Sequence, residues 1–266
     1  MAVDLFSIGP ITIHGYGLMI GIGFVMAMLM GFYRFKRKNL EPDAVVDIVL
    51  ICGLVGFGGG KLFYIIVEWK RFLANPLAIL GSSGFVVYGG IITSVLAIML
   101  YCHHKKFVFM DYFDALVPEV ALAQGFGRIG CFLAGCCYGK PTDSVFGVYF
   151  PDNSLGPGST VKVIPTELIS SAGDFLICLA LILIDRKSQG KKWRRKGDIG
   201  FLYMDFYAVG RFLVEILRGD PRGNVGILST SQFISIFMLA AGIILMIREH
   251  RRQPQTGTGE GASADA

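Results

Sequence analysis

Leu116–Tyr138 (LVPEVALAQGFGRIGCFLAGCCY) and Ile199–Leu217 (IGFLYMDFYAVGRFLVEIL) are each apolar enough to cross a bilayer, and each carries one arginine, Arg128 and Arg211. A guanidinium keeps its charge, and at mid-bilayer it costs about 2.5–3.5 kcal/mol on insertion scales. Arginines in such settings line a wet cavity and bind something negative. In a membrane the commonest anion is a lipid phosphate, which a planar guanidinium fork matches well.

The rest of the composition agrees with a membrane setting. Of 266 residues, 53% are hydrophobic and only 17% charged, and mean hydropathy is +0.57. That is too apolar for an ordinary soluble domain, and 35 glycines suit helices that pack closely in lipid. The N-terminus lacks a basic n-region and carries Asp4, so no cleavable signal peptide is expected.

Seven segments have spanning length, at 14–33, 45–67, 84–102, 112–133, 166–185, 199–217 and 231–247, so the expected fold is an all-α integral membrane protein with seven transmembrane helices. Span four is interrupted by Asp111, Asp114, Pro118 and Glu119. Sixteen basic residues follow the odd spans, among them Arg34, Lys38, Arg186, Arg194 and Arg248, against six in the opposite loops. The positive-inside rule then puts the N-terminus outside and the C-terminus in the cytoplasm. The net charge of +5 reflects that topology and contact with anionic lipid, and nucleic acid is not an expected partner. Residues 138–164, rich in Gly, Pro and Ser with a β-like run at Val145–Phe150, form a small extracytoplasmic cap between helices four and five. Residues 1–248 make one transmembrane catalytic domain, and 249–266, polar and of low complexity, read as a disordered cytoplasmic tail. There is no internal repeat.

Direction along each span gives depth. At about 1.5 Å rise per residue, Tyr16, Lys61, Tyr88, Arg128, Glu167, Arg211 and Glu215 from six spans all fall in the outer half. Glu119, Asp174 and Asp205 lie nearer mid-bilayer and suggest helix packing or a water-filled lower cavity. Tyr207, Arg211 and Glu215 are four apart and share one helix face. That spacing suits a structural ion pair, and it equally suits a glutamate that orients Arg211 toward a phosphate. The five glycines between Gly125 and Gly139 read either as a packing groove or as a helix end whose backbone amides meet lipid oxygens.

At these motifs the chain resembles the prolipoprotein diacylglyceryl transferases of bacteria, from His14-Gly15-Tyr16-Gly17-Leu18 through Gly127-Arg128-Ile129-Gly130 and Tyr207-x3-Arg211-x3-Glu215 to Arg218-Gly219-Asp220-Pro221. The resemblance implies a seven-span enzyme of the bacterial cytoplasmic (inner) membrane. Such an enzyme moves the diacylglyceryl group of phosphatidylglycerol onto the lipobox cysteine of a preprolipoprotein, forming a thioether and releasing glycerol phosphate. It implies no cofactor and no metal. Arg128, Arg211, Tyr16 and Tyr88 take the catalytic positions, and Gly89, Gly90, Gly139, Tyr207, Glu215, Lys61 and Glu167 the substrate-binding ones.

The chain departs from the family pattern at several of these positions. Tyr88 replaces the histidine often proposed as base, Cys131 the signature asparagine, Cys136 the signature glutamate, and Lys61 a common arginine; Ser170 stands where a later acid is usual. The implied mechanism has the two arginines bracket the phosphate while Tyr16 and Tyr207 donate hydrogen bonds. Tyr88 accepts the thiol proton if arginines lie beside it; otherwise the guanidiniums stabilise the thiolate directly.

Cys52, Cys102 and Cys178 sit on apolar spans as small core residues. Cys131, Cys136 and Cys137 read first as packing or a disulfide, because a metal site would want more ligands and no histidine is near in sequence, with a metal or catalytic thiol as the lesser alternative. Two rivals stand beside the enzyme. One is a lipid or anion transporter, which should show repeat symmetry; the other is a transferase of the same fold with a different acceptor.

Overall fold

All seven apolar runs fold as helices. The computed structural model describes residues 4–8, 11–82, 84–152, 154–220 and 223–252. Its long helices are α1 (Gly15–Arg37), α2 (Ala44–Val67), α5 (Val87–His104), α6 (Phe109–Ala134), α7 (Thr166–Ser188), α8 (Asp198–Leu217) and α9 (Thr230–Arg251). Two short helices, α3 (Trp69–Ala74) and α4 (Pro76–Gly81), join α2 to α5. Three two-stranded antiparallel ribbons complete the described residues: β1 (Asp4–Ile8) with β2 (Ile11–His14), β3 (Val148–Tyr149) with β4 (Lys162–Val163), and β5 (Asn224–Val225) with β6 (Leu228–Ser229).

Six helices are long and apolar enough to cross a membrane: α1, α2, α5, α6, α7 and α9. The seventh, α8, carries Asp198, Asp205, Arg211 and Glu215 along its 20 residues, so length alone qualifies it.

The expected break in span four does not occur. Pro118 sits inside a continuous α6, where its ring removes one ladder hydrogen bond. Arg34 of α1 donates to the neighbouring Ala115 carbonyl at 2.8 Å. The helix stops instead at Gly135, whose φ of 77° is a left-handed cap that glycine adopts without penalty. Helix α9 starts with a full capping box between Ser229 and Gln232. It runs through Arg251, so Glu249–Arg251 are helical rather than the start of a disordered tail; residues 253–266 lie outside the described residues. The expected strand at Val145–Phe150 shortens to Val148–Tyr149, held by register pairing with Lys162–Val163.

Glycines set the helix contacts. Gly23 of α1 meets Phe126 and the Ala123 carbonyl of α6, and Gly125 of α6 meets the Phe175 ring of α7. Gly242 of α9 leaves room for the Asp205 carboxylate of α8. Helices α2 and α5 form a hairpin of their own, with Gly90 against the Gly56 carbonyl. That hairpin joins the bundle through a buried cluster at the α1 C-terminus, including Phe35, Ile48, Cys102 and Tyr112.

The same end of the bundle holds a buried charge network. Arg34 donates to Glu119 at 2.9 Å and to Asp185 at 2.8 Å. Lys38 pairs with Asp185 at 2.8 Å, and Arg194 pairs with both Asp185 and Asp114. Asp114 also accepts the Gly197 and Gly200 amides, each at 2.9 Å, placing a carboxylate at the positive N-terminus of α8. Glu119, read from sequence as a mid-bilayer anomaly, is therefore a packing partner of α1. Arg34, assigned to a loop, lies within α1 and is buried.

Candidate functional site

At the opposite end, α6 finishes where α7 begins and α8 ends, and the chain after α6 is stitched to both. Gly139 donates to the Ile164 carbonyl at 2.9 Å, Lys140 to Leu217 at 2.8 Å, and Gly219 to Tyr138 at 3.2 Å. Thr166 Oγ1 donates to the Cys137 carbonyl at 2.8 Å. The amides of Gly139 and Lys140 are therefore taken by protein carbonyls, which favours the packing reading of these glycines over the one in which the amides meet lipid oxygens. A Cβ on Gly139 would come 2.7 Å from Ile164 O, so close backbone approach explains that glycine.

Arg128 and Arg211 face the same space. They share neighbours: Tyr207 and Asp174 lie near Arg128, and Glu215, Arg128, Tyr207 and Arg218 lie near Arg211. Asp174 in turn faces both arginines. Arg211 Nη2 is held by Glu215 at 2.6 Å and by Ser231 Oγ at 2.8 Å, whereas its Nη1 is buried with no hydrogen-bond partner. Arg128 makes no hydrogen bond or salt bridge to a described residue. Two guanidiniums that converge with donors left over form a receptor for an anion, because a planar fork can engage phosphate oxygens bidentately.

Tyr16 sits in the first turn of α1. Its ring covers Gly130, where an added Cβ would lie 3.2 Å from Tyr16 Cδ2, and Arg128, Cys131, Cys136 and Cys137 surround it. Glu167, fully buried at 0% exposure, has both carboxylate oxygens without a hydrogen-bond partner and lies beside Cys137 and Arg218. Arg218 grips Asp220 through Nε at 2.8 Å and Nη2 at 3.0 Å.

Tyr16, Arg128, Glu167, Tyr207, Arg211 and Glu215 thus share one end of the bundle. Gly139 lies at that end too, bonded to Ile164, and the remaining expected site residues, Lys61, Tyr88, Gly89 and Gly90, belong to the α2–α5 hairpin. Lys61 donates to the Ser82 carbonyl at 2.6 Å and lies over the Tyr64 ring. Gly89 is forced by Phe63 and Gly90 by the Gly56 backbone. Tyr88, 48% exposed, opens α5 at the end away from the cluster that ties the hairpin to the bundle.

Arg218 and Ser231 were not expected at this end, and Asp174, read from sequence as a mid-bilayer packing or lower-cavity residue, faces both arginines. Asp174 follows Glu167 by seven residues, two helical turns on one face, which is a signal that could have found it.

Residues 4–248 match the family model described as prolipoprotein diacylglyceryl transferase. The chain belongs to that family. A phosphatidylglycerol–prolipoprotein diacylglyceryl transferase of Clostridium tetani is 44% identical over 252 residues, covering 94% of this chain and 98% of the relative. Clostridium perfringens has a similarly named protein, numbered 2, at 43% over 260 residues, covering 97% and 99%. One from Finegoldia magna is 34% identical over 245 residues, covering 91% and 94%. In this member of the transferase family, the arginine cluster is built from α6, α7 and α8, with α1 and α9 supplying Tyr16 and Ser231.

Proposed function

We propose that the protein transfers the diacylglyceryl group of phosphatidylglycerol to the lipobox cysteine of a preprolipoprotein, the step that begins lipoprotein maturation. The observation that carries this reading is the convergence of Arg128 and Arg211, both with guanidinium donors to spare. In this scheme the two guanidiniums clamp the phosphate, and Tyr16 and Tyr207 donate to its oxygens. Glu215 fixes the orientation of Arg211. The lipobox sulfur attacks the glyceryl carbon as the C–O bond to phosphate breaks, and the thiol proton ends on the departing glycerol phosphate. Charge grows on that phosphate in the transition state, where preorganised cations act most strongly. Tyr88, on the separate hairpin, is not needed as base in this scheme.

The topology follows the same reading. Helix α8 is the seventh span, because its polar residues face the site and its neighbours rather than lipid. The end with the Arg34 network faces the cytoplasm, the arginine site faces outward, and 138–164 cap it. Residues 1–248 act as one catalytic domain in the bacterial inner membrane.

The test is incubation of the purified full chain with phosphatidylglycerol and a lipobox peptide, reading peptide mass. A gain of one diacylglyceryl group is expected, and its absence overturns the activity. Arg128→Ala should eliminate the gain; near-normal turnover in that variant overturns the clamp.

A further inference from the structure

Cys131, Cys136 and Cys137 bring their Sγ atoms within 4.8 Å of one another. All six cysteines of the chain are thiols rather than disulfides. Two left-handed residues in three produce the convergence: Gly135 at φ 77° and Cys137 at φ 75°. For a non-glycine residue that conformation costs on the order of 1 kcal/mol or more, and it persists where the surroundings impose it. Here they do so through the Thr166 bond to the Cys137 carbonyl and the Cys136 amide to the Cys131 carbonyl at 3.1 Å.

We propose that Cys131, Cys136 and Cys137 bind one soft divalent cation of the zinc class, and that its fourth coordination position takes the acceptor thiol. This departs from the absence of a metal expected from the sequence, and it rests on the transferase reading above. Tetrahedral zinc holds thiolates at about 2.3 Å, so its sulfurs stand roughly 3.8 Å apart. The three thiols lie close enough to close that gap with small side-chain rotations. An all-sulfur donor set selects a soft ion over magnesium or calcium. Three thiolates on a divalent ion leave one negative charge, and Arg128 and Arg218 lie beside the cluster to balance it. Three protein ligands with one open position is the arrangement of a catalytic rather than a structural zinc.

The neighbours say what the open position meets. Tyr16 and Arg128 adjoin the cluster, so a sulfur bound there lies next to the phosphate clamp. Coordination replaces the substrate S–H bond by an S–metal bond and releases the proton to water. The sulfur lone pair then forms the S–C bond as the C–O bond breaks, the thioether sulfur leaves the cation, and the departing glycerol phosphate takes up one proton from water. Metal binding thereby supplies thiolate at neutral pH, the task left without a histidine in this chain.

The experiment loads the purified full chain with cobalt(II) and records its absorption. One saturable equivalent with a thiolate-to-cobalt charge-transfer band is expected. The band should be lost in Cys131→Ser and in Cys136→Ser and kept in Cys178→Ser. A lipobox peptide should perturb the cobalt spectrum, and the same peptide with serine for cysteine should not. Chelation should lower turnover at least tenfold, with recovery on adding zinc. A folded protein with no saturable band, a band that survives Cys131→Ser, a spectrum indifferent to the cysteine peptide, or thiol titration revealing a disulfide would each overturn the proposal. The cobalt band is read without turnover, so a failure of the transferase reading is visible separately.

Discussion

Arg34 and Arg128 both lie in helices of this bundle, and they are held in opposite ways. Arg34 has three acceptors, Ala115 O, Glu119 and Asp185, and Asp185 pairs in turn with Lys38 and Arg194. Arg128 has no hydrogen bond or salt bridge among the described residues, and nearby Arg211 Nη1 and both Glu167 oxygens are buried without partners. In the structural network Arg34 spends its donors on two carboxylates and a carbonyl, although Glu119 Oε1 is buried without a partner. At the Arg128 end the unmet capacity is costly unless a ligand supplies it, which fits the proposed phosphate clamp. The difference teaches that burial of a charge is not the mark of a site, and neither is a single unmet atom, since Arg195 Nε is also buried without a partner; convergence of two guanidiniums is what sets the Arg128 end apart.

The sharpest way to break this comparison is to remove each arginine in turn. Arg34→Ala leaves Glu119 and Asp185 with too few partners and should destabilise the bundle by about 3–5 kcal/mol, the usual cost of breaking a buried pair, read by thermal unfolding in detergent. Arg128→Ala should leave the unfolding midpoint close to the parent value while turnover falls by about 100-fold or more, as when a preorganised donor to developing charge is lost. Equal destabilisation by the two would erase the distinction.

Glu215→Gln sharpens it further, because Glu215 joins a structural ion pair to a working arginine. A fall in kcat/KM of about tenfold is expected from loss of this charge-assisted bond, with KM rising more than kcat falls if Arg211 chiefly binds phosphate. Tyr16→Phe against Tyr88→Phe separates the site from the hairpin. Loss of one hydrogen-bond donor to charge at Tyr16 should cost about 1.5–3 kcal/mol of transition-state stabilisation, and Tyr88→Phe should change kcat/KM by less than about threefold on that scale.

The smallest effect lies in the 138–164 loop. Asp152 accepts from the Ser159 amide at 2.7 Å and from its hydroxyl at 2.9 Å, bonds that hold its carboxyl below the ordinary range. A depressed carboxylate stabilises the fold above its unfolded pKa and loses that contribution as pH falls through the folded value. Proteolysis of the loop should therefore speed up slightly at acidic pH, and Asp152→Ser should flatten that dependence.

Legibility from sequence differed between regions for physical reasons. Helix positions were readable because lipid demands a long apolar run with its backbone bonds closed internally, and six of the helices meet that demand on hydropathy. Arg128, Arg211 and Glu215 stood out because a charge in such a run is expensive. Asp174 was visible but could not be assigned, since depth along a helix does not say which neighbour it faces. Glu119 and Arg34 looked anomalous or peripheral until α1 was packed on α6. Tyr88, Gly89, Gly90 and Lys61 matched family positions, yet their surroundings in the α2–α5 hairpin follow from packing that spacing alone does not encode.

Hydrophobicity and permanent charge are properties of single residues, so the chain alone determined a helical membrane protein with two arginines inside apolar runs. Whether those arginines met, which carboxylates they kept, and how three cysteines spaced over seven positions came within 4.8 Å depended on how helices pack and where the backbone turns left-handed. Those are distances between residues remote in sequence or reversed by a turn, and only the folded chain sets them.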